Sequence, residues 1–153
     1  MVKEGDTAPA FELVSDKGAT VTLSALRGKT VVLYFYPRDD TPGCTTEACS
    51  FRDSWARVEA SGALVFGVSP DSPSSHAAFK SKYSLPFALL ADESTSVLKA
   101  YGAYGKKMSF GKEVEGVIRS TFIIGPDGII KKVFPKVKPE GHALEVLEAL
   151  KAL

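Results

Sequence analysis

The chain has 153 residues, 44% of them hydrophobic and 24% charged, which suits one globular domain (1–153) with a core of its own. Nineteen lysines and arginines against 18 aspartates and glutamates leave a formal charge of +1, which offers no electrostatic ground for a nucleic-acid or membrane partner. The opening Met-Val-Lys-Glu-Gly-Asp is charged, without the apolar stretch of a signal peptide, and no apolar run approaches the ~20 residues that cross a bilayer, so a cytoplasmic protein acting on small neutral substrates is expected.

Residues 10–14 and 20–23 are short apolar segments around the turn-like Ser15-Asp16-Lys17-Gly18, and they predict a β-hairpin at the front of the domain. Residues 30–36, Thr-Val-Val-Leu-Tyr-Phe-Tyr, are a continuous β-branched and aromatic run of the kind found in a central strand covered on both faces. Pro37 stops it. After a polar loop, residues 44–60 predict a helix in which Ala48, Phe51, Trp55 and Val58 form one apolar stripe, closed by Gly62. Residues 63–69 form a second continuous strand, residues 73–83 a helix with Pro73 in its first turn, and residues 87–90 a third strand. Residues 94–101 predict another helix. Residues 102–116 carry four glycines and three lysines without periodicity and are expected to be a loop. Two β-rich runs, 120–124 and 129–134, flank the turn signal Gly125-Pro126-Asp127-Gly128, and residues 141–153 close the chain as an amphipathic helix. This order predicts an α/β, thioredoxin-like fold with an N-terminal β-hairpin extension.

Only two cysteines occur, and a bridge across five residues would constrain little of the unfolded chain. Redox chemistry or inert burial fit them better than stapling. No metal site is expected, because Cys44 and Cys49 with the distant His76 and His142 match no zinc spacing. Both histidines are expected to be solvated helix residues. Cys44 falls just after the buried strand, at the first turn of the predicted helix, where free backbone N–H groups and the helix dipole favour an anion. A thiol ordinarily ionises near pH ~8.5, and such a position lowers that value. By position alone, a buried inert cysteine reads equally well.

The neighbours of Cys44 carry more. Pro37, Thr41 and Cys44 form P-x-x-x-T-x-x-C, which resembles the active-site signature of the peroxiredoxins. Thr-Pro-Gly-Cys-Thr-Thr-Glu-Ala-Cys, with Cys49 at its end, is similar in particular to the peroxiredoxin Q, or bacterioferritin comigratory, group. Tyr-Phe-Tyr-Pro before the loop, Phe51-Arg52-Asp53, Gly67-Val68-Ser69 and Arg119-Ser120-Thr121-Phe122 extend the resemblance over nearly the whole chain. It implies a hydroperoxide substrate attacked by Cys44, with the Thr41 hydroxyl bonding the peroxide, Arg119 stabilising the thiolate and orienting the substrate, and Pro37 shielding the pocket. Without the resemblance, Thr41 reads as a helix cap, Pro37 as a strand terminator and Arg119 as a surface residue. Glu47 could hold such an arginine, or stand exposed in the helix's first turn.

Attack on a peroxide leaves a sulfenic acid, which a second thiol condenses with to give a disulfide, and Cys49 is the candidate. If both cysteines stay helical, their Cα atoms lie about 8.6 Å apart with side chains ~140° apart around the axis. A disulfide needs less than about 7 Å, so the helical turn must unwind first. The resemblance points to thioredoxin as reductant, with glutaredoxin second, and to no haem or flavin cofactor. The expected working unit is a monomer. Two other readings stay open on the residues: a thiol–disulfide oxidoreductase of the same fold class, which the absence of C-x-x-C disfavours, and a non-enzymatic holdase.

Overall fold

The computed structural model describes all 153 residues. Its strands are β1 (Glu12–Ser15), β2 (Thr20–Thr22), β3 (Val31–Phe35), β4 (Leu64–Ser69), β5 (Ala88–Ala91), β6 (Tyr104–Ser109), β7 (Lys112–Val117), β8 (Ser120–Ile124) and β9 (Ile130–Phe134). Its α-helices are α1 (Pro42–Asp53), α2 (Trp55–Ala60), α3 (Pro73–Tyr83), α4 (Ser96–Tyr101) and α5 (His142–Lys151). Seven strands form one sheet in the order β2-β1-β5-β4-β3-β8-β9. β3, β4 and β5 run parallel, whereas β8, β9 and the β1–β2 hairpin add antiparallel edges.

Alternation along β3 sets up the core. All five of its residues are buried, with Val31, Leu33 and Phe35 facing one apolar cluster and Val32, Tyr34 and the following Tyr36 facing the other. A strand can be apolar at every position only when both faces are covered, as here. The Tyr34 side is covered by α1, α2, α3 and α5, and the Phe35 side by α4 with Phe11, Leu13 and Leu23 from the N-terminal segment. This is the thioredoxin-like α/β architecture with a hairpin in front.

Three features depart from the sequence-based expectations. The stretch predicted as one helix breaks at Ser54, which has φ −105° and ψ 14° and follows Asp53; both are weak helix formers. Trp55 is consequently only half buried, at the rim of the core beside Phe87. The expected loop at 102–116 is instead an antiparallel ribbon, β6 paired with β7 from Tyr104–Val117 to Ser109–Lys112. It joins no other strand, so both its faces stay largely exposed and no apolar alternation is required of it. Elsewhere, Gly125 to Gly128 turns the chain as expected, with Gly125 N–H donating to Ile129 O at 2.8 Å. No helix is long and apolar enough to cross a membrane.

Candidate active site

Where β3 ends, the chain passes Tyr36 and Pro37, loops out and re-enters as α1 with Thr41 at the N-cap and Pro42 in the first helical position. Pro42 is suited to that position because its fixed φ matches the helix and its missing N–H has no partner to lose. Thr45 N–H makes the first helical bond, to Thr41 O at 2.8 Å, which leaves the amides of Gly43 and Cys44 among the unpaired donors of the first turn. Cys44 is thus fixed where backbone dipoles favour negative charge, and it is buried to 1% exposure.

Arg119, immediately before β8, comes to this point from 75 residues away. Its Nη2 donates to Cys44 Sγ at 3.2 Å and its Nη1 to Glu47 Oε1 at 2.6 Å. Register places it there: Ser120 pairs with Phe35 across the β3–β8 ladder, so the residue before β8 lies beside the end of β3. Burial works against the guanidinium charge, but Glu47 and Cys44 outweigh it and hold its pKa above the usual value. Gly43 makes the approach possible, because a Cβ there would lie 3.3 Å from Arg119 Nη2 and 3.4 Å from Pro139 Cγ.

Glu47 is not the exposed acid of a first turn but is wholly buried, and its Oε2 has no hydrogen-bond partner. Burial pushes its carboxyl up to about 7 against the opposing pull of Arg119. Thr41 occupies the cap position, yet its hydroxyl donates to Arg38 O at 3.0 Å rather than capping the helix. With its hydrogen so committed, the oxygen it presents is an acceptor. Pro37 and Arg119 both line a groove of about 520 Å³ whose other walls include Met108, Ile118, Lys136 and Val137. The ribbon that was expected to be a loop supplies Met108. Other surface depressions lie beside Met1 and beside Leu153; the Pro37 groove is the one of these that reaches Arg119, the residue bonded to Cys44 Sγ. Cys49 lies on α1 with Cys44, half buried, and both thiols are free.

Both histidines depart from the expectation of solvated positions, since each is fully buried. His76 on α3 bonds Asp39 Oδ2 through Nδ1 at 2.7 Å and Leu90 O through Nε2 at 2.9 Å. Asp39 also accepts from Tyr36 at 2.5 Å and Ser75 at 2.8 Å, and its own N–H donates to Asp71 at 2.8 Å. Asp39, Asp71 and His76 bring ligand-type atoms within 4.8 Å of one another, but these hydrogen bonds already engage them. The cluster therefore acts as a brace, tying the loop that carries Thr41 to α3 and β5. His142 contacts Thr121 Oγ1 at 2.8 Å and Glu145 at 3.2 Å, and packs edge-on against Phe51 of α1. Burial lowers its pKa, with Glu145 opposing. Nothing local in the sequence marks either histidine, because their partners are set by the packing of separate elements.

A buried helix-start thiol with an arginine on its sulfur, on a thioredoxin-like sheet, defines a redox-active cysteine protein, and comparison with known proteins narrows the class. The AhpC/TSA family matches residues 4–133, and the chain belongs to that family. It is 48% identical to the putative peroxiredoxin Bcp of Coxiella burnetii, over 97% of this chain and 99% of that protein. It is also 48% identical to peroxiredoxin Bcp of Bacillus subtilis, over 98% and 96%. Among solved structures, a cysteine variant of the peroxiredoxin Q of Xylella fastidiosa superposes with a TM-score of 0.92 at 38% identity, covering 99% of this chain and 97% of that one. The bacterioferritin comigratory protein of Xanthomonas campestris, described for its alkyl peroxide reduction activity, gives 0.87 at 40% identity, covering 93% and 90%. The chain is accordingly an enzyme of the thiol-peroxidase class, within the Bcp/peroxiredoxin Q group.

Proposed function

We propose that Cys44 is the nucleophile that reduces hydrogen peroxide and organic hydroperoxides, and that Cys49 resolves the product as an intramolecular disulfide. The observation that carries this reading is the 3.2 Å hydrogen bond from Arg119 Nη2 to the sulfur of a buried cysteine at a helix start. A cationic donor on sulfur favours the thiolate, the reactive form. The thiolate attacks the terminal oxygen of R–O–OH, the O–O bond breaks, and the departing alkoxide takes a proton to leave as alcohol, with Cys44 now a sulfenic acid. Thr41 serves as acceptor for the hydroperoxide O–H, and Arg119 meets the charge developing on the reacting oxygens. Pro37 closes the pocket against water. The roles of Thr41 and Pro37 rest on the family motif, and that of Arg119 is supported as well by its hydrogen bond to the sulfur.

Cys49–SH then condenses with Cys44–SOH, releasing water. Both thiols lie on α1, whose ideal geometry sets their Cα atoms about 8.6 Å apart, so the turn between them unwinds before the bond closes. Two local features favour opening: Thr46 Oγ1 donates to Pro42 O at 2.9 Å and Ser50 Oγ to Glu47 O at 2.8 Å. Such back-bonds compete with the helix. An external dithiol, thioredoxin before glutaredoxin, returns the enzyme to its reduced form. A cycle that ends on a dithiol suits the cytoplasm, and because both cysteines share one helix of one domain, a monomer suffices.

An NADPH-coupled assay with thioredoxin and its reductase, comparing hydrogen peroxide with a bulky alkyl hydroperoxide, tests the reading. Wild type should consume peroxide, Cys44→Ser should not, and Cys49→Ser should fail to turn over with thioredoxin. Activity in Cys44→Ser refutes the nucleophile, and normal turnover in Cys49→Ser refutes the resolving role. Reduction of a protein disulfide without peroxide turnover would instead support a thiol–disulfide oxidoreductase.

A further inference from the structure

One guanidinium serves two acids beneath the site. Arg119 donates to Cys44 Sγ at 3.2 Å and to Glu47 Oε1 at 2.6 Å, and the two acids stand three residues apart on one face of α1. The Glu47 side chain is fully buried and that of Arg119 is 16% exposed, so solvent screens their interaction weakly. If sulfur and carboxyl were both ionised, one positive charge would face two negative ones, and Glu47 Oε2 would remain without a hydrogen bond. Arg119 is the one cation acting on the buried carboxyl, while Lys106, Lys107 and Lys136 line the outer groove that Arg119 also borders. Tyr34 on β3 is kept neutral by burial, with Glu47 and Cys44 adding to the effect. Asp39, in the loop after β3, is engaged by hydrogen bonds with Tyr36, Ser75 and His76. His142 on α5 is held toward its neutral form by burial.

We propose that Glu47 is a positioning residue that sets, through Arg119, the pH at which Cys44 becomes a thiolate. While Glu47 carries a proton, the guanidinium charge is left to the sulfur; once Glu47 ionises, it competes for the same charge and makes the second ionisation harder. Burial brings the Glu47 carboxyl to about 7, so its charge changes in the neutral range while it shares Arg119 with the sulfur. The two groups therefore lose their protons as a pair rather than independently. The proposal rests on Cys44 being the nucleophile. A purely structural Glu47 that only steers Arg119 makes the opposite prediction, because its removal would loosen the donor on sulfur and leave the thiolate no more favoured than before.

The test uses a Cys49→Ser background, in which Cys44 is the only thiol. Thiolate absorbance in the ultraviolet is followed across the carboxyl and thiol ranges, with and without Glu47→Gln. The expected result is a two-step curve that becomes a single step at lower pH in Glu47→Gln, with a downward move of about one unit, or tenfold in thiolate fraction on the acid side. A midpoint that stays or rises in folded Glu47→Gln overturns the proposal. A second measurement needs no change at Glu47: the infrared carbonyl band of a buried protonated carboxyl should titrate at lower pH in Cys44→Ser than in Cys49→Ser alone, by the reciprocity of coupled sites. An unmoved band overturns it. Peroxide consumption by Cys44→Ser reads the underlying assignment separately, so loss of consumption with unmoved titrations refutes the coupling alone.

Discussion

If Cys44 and Cys49 can meet only after α1 unwinds, then strengthening that turn should slow disulfide formation without slowing the attack on peroxide. Thr45 and Thr46 lie between the two cysteines, the first half buried and the second exposed, and neither side chain contacts Cys44, Arg119 or Glu47 through a hydrogen bond. Alanine exceeds threonine in helix propensity by roughly 0.6 kcal/mol per residue, so the double change Thr45→Ala/Thr46→Ala strengthens the folded turn by about 1.2 kcal/mol. It also removes the bond from Thr46 Oγ1 to Pro42 O, which competes with the helix. At about 1.4 kcal/mol per tenfold, the population of the open turn falls by roughly sevenfold. The assay is a single turnover with stoichiometric peroxide, quenched in acid, alkylated and weighed by mass spectrometry. Sulfenic acid should appear at the wild-type rate and disulfide roughly sevenfold more slowly, with more over-oxidation to the sulfinic acid at high peroxide. A disulfide rate that is unchanged or faster, in a variant whose helix is demonstrably stabilised, would refute the unwinding argument.

Other residues give independent checks. A Cβ at Gly67 would lie 2.7 Å from the Tyr34 ring and 2.9 Å from Leu89, both immobile core groups, so Gly67→Ala should lose about 2–3 kcal/mol in denaturant unfolding; a loss below about 0.5 kcal/mol would contradict the close packing. Gly43→Ala should leave helix content intact but push Arg119 aside by a few tenths of an ångström, lowering kcat/KM for peroxide by roughly three- to tenfold; unchanged kinetics would show that the 3.3 Å approach is not limiting. His76→Ala strips Asp39 of a buried partner and should cost about 3 kcal/mol with loss of order in the 37–41 loop, read by hydrogen exchange. Glu47 binds its proton up to about 7 in the folded protein but only to an ordinary 4.5 when unfolded. The folded state therefore holds the extra proton between those values, and its stability falls as pH rises through that window, by about 3 kcal/mol in all. The stability difference between wild type and Glu47→Gln should trace this slope, and parallel pH curves would refute it.

Much of the frame was legible without coordinates, and the reason lies in the locality of the signals. The unbroken, β-branched and aromatic run at 30–36 read as a strand covered on both faces and is one, Pro73 opened its helix where expected, and Gly-Pro-Asp-Gly turned β8 into β9. The β6–β7 ribbon was missed because a two-stranded pair open to solvent on both faces needs no apolar period, and Phe110, at φ 51° and fully exposed at its tip, is not a turn residue by composition. The break at Ser54 was missed because the apolar stripe continues across it.

The sequence by itself placed Cys44 at a strand-to-helix junction, where the N-terminal amides of α1 follow from chain connectivity alone. It also put Cys49 five residues along the same helix, a spacing at which a disulfide with Cys44 would require that turn to unwind. What only the tertiary structure decided was the company the sulfur keeps. Arg119 reaches Cys44 through the antiparallel register of β8 on β3, Glu47 turns inward because α1 packs on the sheet, and His76 meets Asp39 through the docking of α3. Partners 37, 72 and 75 residues apart in the chain are set by how elements pack, a geometry that no local pattern of residue types encodes.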